Sequence, residues 1–296
     1  MKRQALPFGN VPKALLQNLL LVATVLVSVG WALPLPAQGT TGAPEGTSAD
    51  ELAQQLANPI ANLISVPLQS NFDFGSGPDG DGFRYTLNIQ PVIPVDLNEK
   101  WLLISRAILP TVYQNDEASA LTDESEFGLG DTVLSFFLSP KNDSKITWGV
   151  GPVFYIPTAT EDVLGADQWG LGPTGVVVVV DGPWTYGSLA NHIWSIGDTD
   201  DYDSFFIDRP DLNATFIQPF LSYGLGDGWS VGANLEATYD WEGDQWTIPV
   251  FANASKVLSI GGQQMSLQAG PRYYIEAPDD GSEWGFRVNL TLIFPR

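Results

Sequence analysis

From Ile60 to the C-terminus, apolar and polar side chains alternate with a period of two, most strictly between Trp229 and Trp241. Trp229, Val231, Ala233, Leu235, Ala237, Tyr239 and Trp241 fall on one side of that segment; Ser230, Gly232, Asn234, Glu236, Thr238 and Asp240 fall on the other. This is the pattern of a β-strand with one apolar and one wet face. Aromatic residues close both ends of the apolar face, a spacing that in a tilted strand matches the apolar band of ~25 Å between the aromatic girdles of a transmembrane barrel. The final strand repeats the arrangement, with Phe286, Val288, Leu290, Leu292 and Phe294 against Arg287, Asn289 and Thr291. A last amphipathic strand ending in an aromatic resembles the signal read by the barrel-assembly machinery, but here Pro295 and Arg296 follow the aromatic.

The same reading predicts strands over 62–74, 83–94, 100–114, 127–139, 145–157, 171–181, 183–195, 212–224, 228–241, 245–255, 263–276 and 284–295. Segment 171–181 is apolar throughout, and 183–195 supports either facing. Connections after odd-numbered strands are mostly long and acidic (73–81, 115–126, 161–167, 198–211 and 276–283), with a short exception around Glu242. Those after even-numbered strands are shorter and often carry lysine, as at 97–100, 141–145, 181–182 and 224–228. Sorting by parity is what extracellular loops and periplasmic turns produce. The expected fold is therefore all-β: an antiparallel transmembrane β-barrel of about 12 strands in the outer membrane of a Gram-negative bacterium. Pro67, Pro91, Pro110, Pro152, Pro219, Pro249 and Pro271 fall inside the predicted strands. Because proline removes a ladder donor, each must sit at a bulge or a rim, or the strand boundaries are wrong.

The N-terminus sets the compartment. Lys2, Arg3 and Lys13 precede an uncharged apolar run over 19–33 and then Pro34-Leu35-Pro36-Ala37, the order of a cleaved secretory signal peptide over 1–37. The run is shorter than the roughly 20 residues of a spanning helix, which disfavours a retained anchor. Residues 38–58 read as a flexible leader. In it, Ser48 and Glu51 have the spacing of a capping box, predicting a short N-terminal helix to about Ala57 that docks at the barrel's mouth or inside it. Three of the 13 basic residues and none of the 34 acidic ones lie in 1–37, so the remainder carries 10 against 34, a net −24. Such a surface repels nucleic acid. The absence of cysteine excludes disulfides and a lipoprotein anchor.

Chemistry-bearing residues are sparse. His192 is the one histidine, with Asp198, Asp200 and Asp201 just beyond it. Nothing local fixes a nucleophile within its reach, so a rim residue is the simpler reading and no enzyme is expected. The acidic runs 198–203 and 79–81 offer oxygen ligands without the EF-hand pattern. Acidic loops are also expected to bind divalent cations that bridge them to lipopolysaccharide, which calcium-insensitive thermal stability would contradict. No cofactor or nucleotide motif occurs. The period-two phase points Arg84, Asn88, Gln90, Asn234, Glu236, Gln268, Arg272, Arg287 and Asn289 into the lumen, together with Arg106. These charges either pair across the interior, or Arg84, Arg106, Arg272 and Arg287 opposed by Glu236 form a filter that sorts solutes by charge and size.

The runs Asn58-Pro-Ile-Ala-Asn-Leu-Ile-Ser-Val-Pro-Leu-Gln69, Leu87-Asn-Ile-Gln-Pro-Val-Ile-Pro94, Phe127-Gly-Leu-Gly-Asp131, Trp148-Gly-Val-Gly-Pro152, Pro157-Thr-Ala-Thr160 and Ile217-Gln-Pro-Phe220 resemble those of a bacterial family of outer-membrane barrels. Its members are filed as transporters of the MetA pathway of phenol degradation and often carry the automatic name "neuromedin U". The resemblance spans 58–296 and rests on strand and turn patterns, so it transfers no functional residue. With no energy-coupling motif in the chain, the expected function is a passive outer-membrane channel or uptake barrel for a small, apolar or aromatic solute. The alternatives are an envelope barrel with a structural or adhesive role, and a secreted soluble β-sandwich that binds carbohydrate.

Overall fold

The computed structural model describes residues 47–115, 125–142, 144–198 and 211–294. Twelve antiparallel strands follow one another around a closed barrel. They are β1 (Ile64–Ser76), β2 (Gly82–Ile89 continuing as Val92–Asp96), β3 (Trp101–Asn115) and β4 (Glu126–Leu129 continuing as Thr132–Pro140). Then come β5 (Ile146–Ile156), β6 (Gln168–Asp181), β7 (Trp184–Asp198) and β8 (Asn213–Gly226). The last are β9 (Trp229–Leu235 continuing as Ala237–Asp240), β10 (Gln245–Ile260), β11 (Gln263–Glu276) and β12 (Trp284–Phe294). β12 closes on β1, from Ile64 opposite Phe294 to Phe74 opposite Trp284. Closure leaves no sheet edge, which excludes the sandwich alternative. No helix among the described residues is long and apolar enough to cross a membrane. The segment 1–37 and most of the acidic run 198–203 lie outside the described residues.

Large apolar side chains stand exposed on the outer surface, as lipid contact requires. Trp169, Trp194, Tyr273 and Trp284 ring the end bearing the long loops, and Trp148, Trp184 and Trp229 ring the end bearing the short turns. The predicted strand boundaries differ from the observed ones by a few residues at most.

Every in-strand proline faces a gap in the ladder on one side. Pro67 and Pro91 lie where the pairing of β1 with β2 stops at Leu68/Ile89 and resumes at Ser65/Val92. Pro110 lies where β3–β4 pairing skips from Thr111/Leu129 to Ile108/Val133. Pro219 sits in the β8–β9 gap between Phe220/Asn234 and Ile217/Ala237, and Pro249 at the register shift of β10 against β11. Pro152 and Pro271 occupy corresponding gaps in β4–β5 and β10–β11. The missing donor is thus placed where no bond is made. The backbones crowd at the glycines before two such prolines: a Cβ on Gly151 would lie 2.1 Å from the Phe136 carbonyl oxygen, and one on Gly270 would lie 1.9 Å from that of Ala252.

The interior has two faces. Val92, Leu102, Ile104, Phe137, Val176, Val178 and Leu189 form one buried cluster, joined by Phe216 and Phe220. These residues belong to β2–β8 and make an apolar inner wall. Residues from β9–β12 and β1 make the opposite wall polar. The doubly apolar segment 171–181 is explained by this: Val176 and Val178 are buried on the inner wall while Val177 faces lipid. In β7, Leu189 and Ile193 are buried and Trp194 and Ile196 are exposed, which resolves its facing.

The leader enters the barrel from the end of the short turns. Helix α1 (Ala49–Leu56) carries the expected capping box, with Ser48 Oγ accepting from the Glu51 nitrogen and the Glu51 carboxylate accepting from the Ser48 nitrogen. Its Leu52 packs with Leu63 against Val257 and Ile293 of the barrel wall. The Asp50 carboxylate accepts from the Gly228 nitrogen at 2.5 Å, and the Gln54 amide donates to the Gly182 carbonyl at 2.8 Å, so α1 is tied to two turns. Ile60 then packs into the apolar wall.

Candidate functional site

Period-two phase brings one row of polar side chains from each strand of the polar wall into the lumen, and the register sets their heights. Asn71 of β1 is level with Arg287 of β12, and Asp73 with Gly285. Gly285 leaves room: a Cβ there would meet Asp73 Oδ1 at 2.4 Å. Glu236 stands at the interruption of β9, where its own nitrogen donates to the Pro249 carbonyl at 2.9 Å. The gap in the ladder therefore lets the carboxylate into the centre of the barrel.

There the charged groups interlock. Arg287 grips Glu236 with two parallel bonds, Nη1 to Oε1 at 2.7 Å and Nη2 to Oε2 at 2.8 Å, while its Nε donates to Asn71 Oδ1 at 2.5 Å. Its guanidinium also lies over the Phe251 ring, 4.7 Å from the centroid. Arg272 Nη1 meets both oxygens of Asp73, at 2.9 and 2.7 Å, and its Nη2 is 3.6 Å from Glu236 Oε2. The Gln218 amide donates to Glu236 at 3.3 Å. Arg106 Nη2 donates to Gln90 Oε1 at 2.8 Å. Arg287 and Asp73 are only 2% and 3% exposed, so the pairs are desolvated and hold one geometry.

This cluster divides the lumen. A cavity of about 580 Å³ lies above it, bordered by Arg84, Asn88, Glu236, Arg272 and the loop 277–282. A second, of about 220 Å³, lies below, between the cluster and the leader, and Arg106, Gln268, Asn289 and Phe220 border it. Arg287 borders both. Of the residues expected to face inward, Glu236, Arg272 and Arg287 meet in one network, Arg106 stands beside Gln90, and Arg84 lies in the upper cavity. Asp73, assigned from sequence to the acidic connection 73–81, is instead a lumenal partner of Arg272. Its phase with Gln69 and Asn71 was the signal that pointed to this. Asn71 and Gln218 were not singled out either.

His192 faces outward. Its Nδ1 is 2.6 Å from Thr215 Oγ1, which also accepts from Trp241 Nε1 at 2.8 Å, and its ring is 4.1 Å from that of Trp194. These are the surroundings of an aromatic-girdle residue.

A closed barrel of an even number of strands, with an apolar girdled exterior and a charged interior, is an outer-membrane β-barrel. Residues 72–267 match the family described as "Putative MetA-pathway of phenol degradation", and the chain belongs to that family. An outer-membrane channel from Pseudomonas putida F1 shares the fold with a TM-score of 0.60 at 18% identity, the match covering 78% of this chain and 94% of that one. Outer membrane phospholipase A from Escherichia coli gives a TM-score of 0.45 at 12% identity, covering 84% and 99%. No curated protein matches.

Proposed function

We propose that the protein is a passive channel that takes up a small solute with an apolar or aromatic body across the outer membrane. The observation that carries this reading is the lumen: two cavities lie in line along it, separated by a few side chains and closed at one mouth by a tethered helix. A wall of aliphatic side chains facing a wall of amides and arginines suits a solute with an apolar and a polar side. The family membership and the fold shared with the Pseudomonas putida channel support the same reading. The filter in this reading is the arginine set Arg84, Arg106, Arg272 and Arg287 about Glu236.

Single-channel recording of the refolded protein in a planar bilayer, with and without residues 38–58, tests it. Rare or small openings with the leader and discrete steps without it are expected. Silence in both forms from a demonstrably folded barrel would overturn the channel and favour a structural role in the envelope.

A further inference from the structure

The charges at the centre of the lumen do not cancel. Asp73 and Glu236 are each gripped by an arginine, Arg272 and Arg287 respectively. The third guanidinium there, Arg106, makes no ion pair with a carboxylate of the described residues, and its hydrogen bond to Gln90 is to a neutral amide. Three cations against two anions leave one positive charge inside a chain whose net charge is −21. A cation removed from bulk water is costly until an anion or several acceptors meet it.

The cavity that Arg106 borders has two further features. The Oδ1 atoms of Asn234 and Asn289 are buried without a hydrogen-bond partner, and both residues line this cavity. Buried acceptors of this kind are normally satisfied, by a water or by a bound donor. Val92 and Phe220 give the same cavity an apolar side. Its volume, about 220 Å³, is below that of sites for drug-sized ligands and suits a molecule of one ring.

We infer that this cavity is a binding station for a small organic carboxylate: the carboxylate meets Arg106, a flat apolar body lies against Val92 and Phe220, and a hydroxyl donates to Asn234 or Asn289. Guanidinium and carboxylate match in a two-point contact, so charge and shape are both read at one residue. The inference rests on the channel reading for its route of entry, and it narrows the solute from neutral or apolar molecules to monoanions.

Calorimetric titration of the folded protein in detergent with 4-hydroxybenzoate as probe tests the site. Saturable binding is expected, weakened tenfold or more in Arg106→Gln and partly kept in Arg106→Lys. The neutral 4-hydroxybenzamide should not bind measurably. Heat-modifiable gel mobility establishes that each variant is folded, and Arg106→Lys keeps the test valid where Arg106→Gln does not fold. Equal binding of acid and amide, or unchanged affinity in folded Arg106→Gln, would overturn the site. A preparation that conducts without binding the acid sinks the site alone, and one that binds it at Arg106 without ever conducting sinks the channel alone.

Discussion

Asp131, at the interruption of β4, reaches across to the long loop that follows the neighbouring strand β5, where its Oδ1 accepts the Thr158 nitrogen at 3.0 Å. The same oxygen accepts the Ala159 nitrogen at 3.0 Å, and Oδ2 accepts the Ala166 nitrogen at 2.6 Å. One buried carboxylate at the interruption of β4 therefore clasps both ends of the loop 157–167. Asp131→Ala leaves those donors without their acceptor, at a cost of about 1–3 kcal/mol for each donor left buried. The expected result is faster hydrogen exchange and protease cleavage in 157–167 with the barrel still folded. Unchanged protection of the loop would refute the clasp.

The Glu236 network should behave as one unit. Glu236→Ala strands Arg287 and leaves Arg272 with Asp73 alone, so a loss of about 3–5 kcal/mol is expected, the cost of breaking a buried pair. Arg287→Ala should cost a similar amount, and the double variant much less than the sum of the two. Denaturant unfolding in lipid vesicles gives the coupling; strict additivity would mean that the two side chains do not act as a pair.

The leader should be separable from the wall. Leu52 is 1% exposed between α1 and the barrel, so Leu52→Asp puts a charge into that contact and releases the helix. More frequent or larger openings in single-channel records are expected, with the melting behaviour of the barrel little changed. Ser48→Ala removes half of the capping box, costs the helix about 1 kcal/mol, and should act in the same direction more weakly. Openings indistinguishable from those of the unaltered protein in both variants would mean that the helix does not obstruct the path.

Crowding at the ladder gaps gives a steric test. A Cβ on Gly172 would lie 1.6 Å from the His192 carbonyl oxygen, whereas one on Gly197 of the same barrel would meet nothing within 4 Å. Gly172→Ala should sharply lower the refolding yield, and Gly197→Ala should leave it unchanged. Equal yields would show that the β6–β7 approach is readily widened.

Much of the barrel could be read from the chain because a strand's facing is local: Asn88, Gln90, Asn289 and Arg287 declare it by phase alone. Height and neighbour are not local. Arg272 and Asp73 are 199 residues apart, and only the closure of β12 on β1 brings them level. Asp73 read as a loop acid because it sits next to an acidic connection, although its phase with Asn71 pointed inward. The motif Phe127-Gly-Leu-Gly-Asp131 read as the start of a strand, and the loop that its Asp131 clasps could not be inferred before the strands were in register. The prolines looked like objections to the strands and turned out to mark where the ladder opens. Segment 171–181 hid its facing because both of its environments are apolar, one lipid and the other protein.

The apolar inner wall also fixes where water can run. Val176, Val178, Leu189 and Phe137, on β4, β6 and β7, offer no hydrogen bonds, so a file of water or a hydrated solute is held to the side of β9–β12 and β1–β3, where Arg84, Gln90 and Arg106 also stand. In the channel reading proposed above, the path is therefore off-centre, pressed against one flank of the barrel. A solute that travels along it keeps one side wet and the other dry from mouth to mouth.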